Sequence, residues 1–208
     1  MPPLNTPRLV VFAKAPQPGL AKTRLIPGLG AEGAAKLARC MLDHALAQAM
    51  QAQVGPVELC MSPGPQDAAW KGVELPEGVQ CTEQGEGGLG ERMARAVHRV
   101  TPKPQGQPIL LMGTDCPGLT ASILRDAAAQ LAQHDAVLIP VADGGYVLLG
   151  LRVPCPDIFR DMAWSTSAVA AETQRRLAAH GLSVWTGPTL HDIDEPADRV
   201  HLPSEWRI

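Results

Sequence analysis

The sequence predicts an α/β protein organised around a mostly parallel sheet covered on both faces. Three observations point there. Short, continuously apolar runs recur, as at residues 109–112 and 136–139, and unbroken apolar strands are those buried on both faces. Longer segments between them repeat apolar residues at helical spacing. The two kinds of segment alternate, and alternation of that sort gives parallel strands with helical crossovers. At 208 residues the chain fits one domain, spanning 1–208, with a single substantial core.

Residues 9–12 read as a first buried strand. Helix follows over 31–53, with Leu37, Met41, Ala45 and Ala49 on one face. Residues 56–61 alternate like a strand and stop at Ser62, Pro63 and Gly64, and 79–83 is a shorter strand. A turn over 85–90 opens a helix with Leu89, Met93, Ala96 and Val100 inside. After the strand at 109–112, Thr120 or Ser122 is placed to cap a helix whose inner face carries Ile123, Leu124, Ala127 and Leu131. Strands at 136–139 and 146–149 flank Asp143, Gly144 and Gly145. Ser167 is expected to cap a helix holding Val169, Thr173 and Leu177, which Gly181 closes before a last strand at 182–185.

The segment after the first strand is the most telling. Two prolines and Gly19 break the strand into a loop carrying Lys14, Lys22 and Arg24, and residues 1–31 contain no Asp or Glu. A rigid, all-cationic loop at the carboxyl end of a strand is what a diphosphate needs. Gly19 would let the backbone approach and the cations would neutralise the phosphates. The competing reading is a surface turn with solvated lysines. The loop is not a P-loop, which requires two glycines before Lys and Thr. Lys22 and Thr23 supply only its last letters, with Pro16 and Ala21 where glycines belong. The glycines at 85, 87 and 90 match G-x-G-x-x-G loosely, but after the third strand rather than the first.

Asp115 ends a central buried strand, where it can hold a divalent metal against phosphate oxygens or cap the next helix. The acidic stretch at 192–198 favours the metal. Asp192 and Asp194 flank Ile193 and would share one side of an extended segment, so Asp115 with Asp194 or Asp192 suffices for Mg²⁺. Pro196 with Glu195 and Asp198 also reads as a helix start, and both roles can hold together. Asp143 is a candidate for contacts to sugar hydroxyls or an acceptor. The adjacent Gly144 and Gly145 fit close approach to a ligand or a hairpin bend. Trp164 fits a stacking wall or plain core, and His191 is the histidine nearest the acids in sequence.

A net charge of −3 argues against a nucleic-acid binder held by bulk charge. Five widely spaced cysteines without a zinc-like pattern point to reduced thiols and a cytoplasmic location. No apolar run reaches the length of a membrane span.

The cationic segment from Lys14 to Leu25, the run Gly113 to Leu119, the Asp143–Tyr146 turn and Asp192-Ile193-Asp194 occur in the order seen in a bacterial group labelled DUF2064, which the chain resembles over nearly its whole length. These are candidate glycosyltransferases of the GT-A, nucleotide-diphospho-sugar transferase superfamily. The resemblance implies a Rossmann-like three-layer sandwich, a nucleotide-sugar or NTP substrate and a Mg²⁺ or Mn²⁺ cofactor. It assigns Lys22 and Arg24 to the phosphates, with Thr23 beside them, and Asp115 and Asp194 to the metal. The D-x-D of many glycosyltransferases is absent, since Asp115-Cys116-Pro117 offers one carboxylate. The expectation is therefore a metal-dependent transferase, monomeric or homodimeric. It would act by glycosyl transfer with Asp115, Asp143, Lys22 and Arg24 at the reaction centre; the alternatives are nucleotidyl transfer or a non-catalytic nucleotide-binding module.

Overall fold

A computed structural model describes residues 6–101 and 106–206. Seven strands form one sheet in the order β3-β2-β1-β4-β6-β5-β7. They are β1 (Arg8–Lys14), β2 (Val57–Ser62), β3 (Gln80–Glu83), β4 (Ile109–Met112), β5 (Ala136–Pro140), β6 (Tyr146–Leu151) and β7 (Val184–Thr186). All neighbours are parallel except β6, which runs antiparallel to both β4 and β5. The four long helices are α1 (Ile26–Ala52), α2 (Leu89–Val100), α3 (Ala121–Leu131) and α4 (Val169–Ala179).

Strand alternation divides the core in two. Leu9, Val11, Leu59, Leu110 and Ile139 face α1 and α3, while Val10, Cys60, Leu111, Leu138 and Leu149 face α2 and α4. The result is the expected three-layer α/β sandwich. A third, smaller cluster joins Leu25, Leu37 and Met41 to Ile193, Leu202 and Trp206, so the C-terminal segment is strapped across α1.

Three details depart from the sequence reading, and a fourth decides between the two caps it offers for α3. Strand β2 is buried almost throughout, because both faces are covered and Glu58 is tolerated inside. Glu58, 1 % exposed, accepts a two-pronged bond from Arg99 and another from Thr82 Oγ1 at 2.7 Å, so its charge is paired. Leu89 does not enter the core but stands half exposed at the first turn of α2. Ser167 is not a cap: α4 starts after Ala168, which makes no side-chain cap bond. Thr120, rather than Ser122, caps α3, accepting from the Ile123 N–H at 3.5 Å.

Candidate nucleotide-binding site

The carboxyl ends of β1 and β4 open on a cavity of about 480 Å³, within the range usual for small-molecule sites. This is where parallel sheets bind ligands. The loop after β1 turns at Gly19 (φ 78°), and Lys22 itself adopts a left-handed backbone (φ 48°, ψ 44°). That conformation is unfavourable for a residue with a β-carbon. It starts a short 3₁₀ turn over Thr23–Leu25, whose buried Leu25 anchors the loop in the third cluster.

Lys22 is the centre of the site. Its side chain is 7 % exposed, and Nζ donates to Ile193 O at 2.6 Å, Asp115 Oδ1 at 2.7 Å and Asp194 Oδ1 at 3.1 Å. An ammonium has three protons, and three acceptors are present. Burial alone would lower its pKa, but Asp115 and then Asp194 outweigh that and hold it above the ordinary lysine value. Arg24 donates to the other oxygen of Asp194 at 3.1 Å.

Ile193 ties the segments together. It is fully buried, its N–H donates to the Asp115 carbonyl at 2.8 Å, and its own carbonyl takes Lys22. Asp198 Oδ2 accepts from the N–H groups of Asp194 and Glu195 at 2.9 and 2.7 Å, capping the 3₁₀ turn Pro196–His201 and fixing where Asp194 projects. Asp198 thus serves the backbone, as the helix-start reading has it, while the Glu195 carboxylate lies 4.0 Å from Arg24.

The sequence-expected residues sort as follows. Lys14, Lys22, Thr23, Arg24, Asp115, Asp143, Gly145 and Asp194 line the cavity. Asp143 Oδ1 accepts from the Gly145 N–H at 2.7 Å in the β5–β6 hairpin. Three candidates lie off the cavity lining. Gly19 serves the turn. Gly144 (φ 91°) packs against the Ser167 backbone, where a β-carbon would sit 2.1 Å from the carbonyl oxygen. Asp192 is not among the groups that Lys22 bonds and does not line the cavity. Burial, then the neighbouring Asp143 charge, raises the Asp192 pKa. His191 is exposed and stacks on His201 at 3.9 Å between ring centroids.

The cavity also has an apolar lining, of which the sequence reading singles out only Trp164 as a wall. It is built from Leu20, Leu89, Met93, Trp164 and Val169. Leu20 and Leu89, 68 % and 47 % exposed, are two of the few large apolar side chains facing water. Gln84 also lines the cavity, its Nε2 donating to the carbonyls of Ala13 and Cys60 at 3.2 and 3.0 Å. Arg95 holds the Gln84 and Glu86 carbonyls. The Gly85–Gly87 glycines are the sequence signal that marks this loop.

Two carboxylates and a backbone carbonyl converging on one cation form a hard-oxygen donor set, which suits Mg²⁺ or Mn²⁺ completed by phosphates and water. Among the described residues, no group of three or more His, Cys, Asp or Glu side chains is arranged around a metal position, so substrate oxygens would have to complete the shell.

The sheet and its helical layers define a GT-A-like α/β protein. The chain belongs to the family described as "Uncharacterized protein conserved in bacteria (DUF2064)", which matches residues 45–166. It is similar to the crystal structure of a candidate nucleotide-diphospho-sugar transferase from Desulfovibrio desulfuricans G20. That match has 29 % identity and a TM-score of 0.85, covering 98 % of this chain and 90 % of that one. A manganese complex of Rv0371C from Mycobacterium tuberculosis H37Rv matches at 20 % identity and TM-score 0.54, over 96 % and 100 % of the two chains. The 2-C-methyl-D-erythritol 4-phosphate cytidylyltransferase of Thermus thermophilus matches at 15 % and 0.54, over 98 % and 100 %. The last two show the fold alone. No curated protein matches the sequence. Among the described residues, no helix is long and apolar enough to cross a membrane.

Proposed function

We propose that the chain is a metal-dependent transferase that binds a nucleotide diphosphate in this cavity and transfers a glycosyl group from a nucleotide-diphospho-sugar. The observation that carries the reading is the convergence of Lys22, Arg24, Asp115 and Asp194 at one rim of the sheet. The similarity to a candidate nucleotide-diphospho-sugar transferase supports it.

In the reaction, the bond from the anomeric carbon to the diphosphate oxygen breaks and the electron pair leaves with the diphosphate. Lys22, Arg24 and Lys14 provide positive charge where that negative charge develops. A divalent cation held by Asp115 and Asp194 would add Lewis-acid neutralisation of the phosphate oxygens. The acceptor hydroxyl bonds to the anomeric carbon and gives up its proton. Asp143 is the base we assign: Oδ1 is fixed by Gly145, and Oδ2 has no partner among the described residues. Leu20, Leu89, Met93 and Trp164 hold the uncharged part of the ligand and keep water from the reacting centre.

A second reading is nucleotidyl transfer, in which a phosphorylated acceptor attacks an NTP and pyrophosphate leaves against the same cations. It draws support from the missing D-x-D, with the second acid coming instead from the C-terminal segment, and from the cytidylyltransferase likeness in fold. Product analysis separates the two. Release of a nucleoside diphosphate from a nucleotide-sugar supports glycosyl transfer, and pyrophosphate from an NTP supports the second. Asp115→Asn is expected to cut either product by about a hundredfold or more. Saturable nucleotide binding without any product would leave only a binding module.

A further inference from the structure

We infer, building on the metal-and-diphosphate reading above, that the site takes its divalent cation together with a nucleoside diphosphate rather than as the free ion, because Lys22 already holds the cation position between Asp115 and Asp194. The ammonium bonds both carboxylates and the Ile193 carbonyl at 2.6–3.1 Å, the same oxygens that would face a metal. Arg24 takes the remaining Asp194 oxygen. Lys22 and Arg24 offset the charges of Asp115 and Asp194 at the position itself, and the free ion must displace a buried, fully satisfied ammonium.

The arrangement is built rather than incidental. Lys22 keeps a left-handed backbone that persists only where surroundings over-determine it, and its side chain reaches acceptors 93, 171 and 172 positions away in sequence. A diphosphate changes the balance. Its oxygens offer Lys22 and Arg24 charge-assisted bonds equal to those they leave. The flexible lysine stem can swing toward them, since Lys22 lines the cavity with Lys14, Thr23 and Arg24. Asp115 and Asp194 are then released to the incoming cation. The metal affinity of the resting site is scaled down in proportion to the fraction of molecules in which Lys22 is already away.

The test is titration of Mn²⁺, followed by its electron paramagnetic resonance signal and by calorimetry. It is applied to the wild type and Lys22→Met, alone and with ADP, CDP, GDP or UDP. Lys22→Met is expected to bind free Mn²⁺ about tenfold or more tighter than the wild type, since charge-assisted bonds no longer compete. In the wild type, the preferred diphosphate should tighten Mn²⁺ by a comparable factor, and in Lys22→Met that gain should shrink. Equal or weaker Mn²⁺ binding by Lys22→Met overturns the inference. If Asp115→Asn meanwhile abolishes a wild-type Mn²⁺–diphosphate complex, the site reading survives. Absence of any Mn²⁺ or diphosphate binding by the wild type sinks both. Should Lys22→Met fail to fold, the wild-type titrations decide alone, and Mn²⁺ affinity unchanged by every diphosphate overturns the inference.

Discussion

Lys22 carries more of this site than any other residue, and its contribution to stability has a definite pH dependence. The folded-state pKa lies above the ordinary value of 10.5. The stabilisation is therefore fully present below about pH 10 and is lost as pH rises through the folded pKa. Because both partner carboxylates are about half exposed, Lys22→Met is expected to cost only about 1–2 kcal/mol at pH 7. The gap to the wild type should close as pH rises through the folded pKa, above the ordinary 10.5, which denaturant melts across the alkaline range would read. Asp143 makes a separable demand. With Oδ1 occupied by the Gly145 N–H, Asp143→Asn keeps a hydrogen-bond acceptor there but loses the base. Turnover should fall about 10²–10⁴-fold while nucleotide affinity stays within a factor of about two. Equal losses in both would remove Asp143 from the chemistry.

Among elements, the turns separate two uses of glycine. Gly19 and Gly144 are both left-handed, but Gly19 faces open space and Gly144 abuts the Ser167 backbone. Gly19→Ala should cost about 1 kcal/mol, whereas Gly144→Ala should exceed about 3 kcal/mol by shifting the hairpin that carries Asp143. Thr120→Ala should cost about 1 kcal/mol through the lost cap of α3, and Ser167→Ala close to nothing. These differences mark where sequence and structure part. The strands β1, β4 and β5 were legible because burial on both faces writes itself as a continuous apolar run. Lys22, Arg24 and Asp115 could be singled out because each lies in the loop that follows such a run. Between Asp192 and Asp194 the sequence leaves the choice open, because residues two apart in an extended segment are equivalent. In the fold, the Ile193 N–H turns to Asp115 and its carbonyl to Lys22, and only Asp194 is carried to the cation. Leu89 looked like core because helical spacing cannot tell a buried face from a cavity rim at the first turn.

At the scale of the molecule, the sheet order does the assembling. Strands β1 and β4 are neighbours, so the loops carrying Lys22 and Asp115 must lie side by side although 93 positions separate them. The C-terminal strap across α1 then delivers Asp194 from the far end of the chain. The antiparallel β6, reached through the tight hairpin after β5, aims Asp143 into the same cavity. None of this long-range placement is written in local composition, and it is why Gln84, held by the carbonyls of two different strands, left no sequence signal of its own. The most direct measurement is the thermal shift of the wild type with Mn²⁺ and each nucleoside diphosphate, repeated on Asp115→Asn/Asp194→Asn. At about 100 times its dissociation constant the right nucleotide should add about 2.7 kcal/mol of stability to the wild type and almost none to the double variant. A flat response of the wild type to every nucleotide, or an undiminished shift in the double variant, would contradict a diphosphate site at this rim.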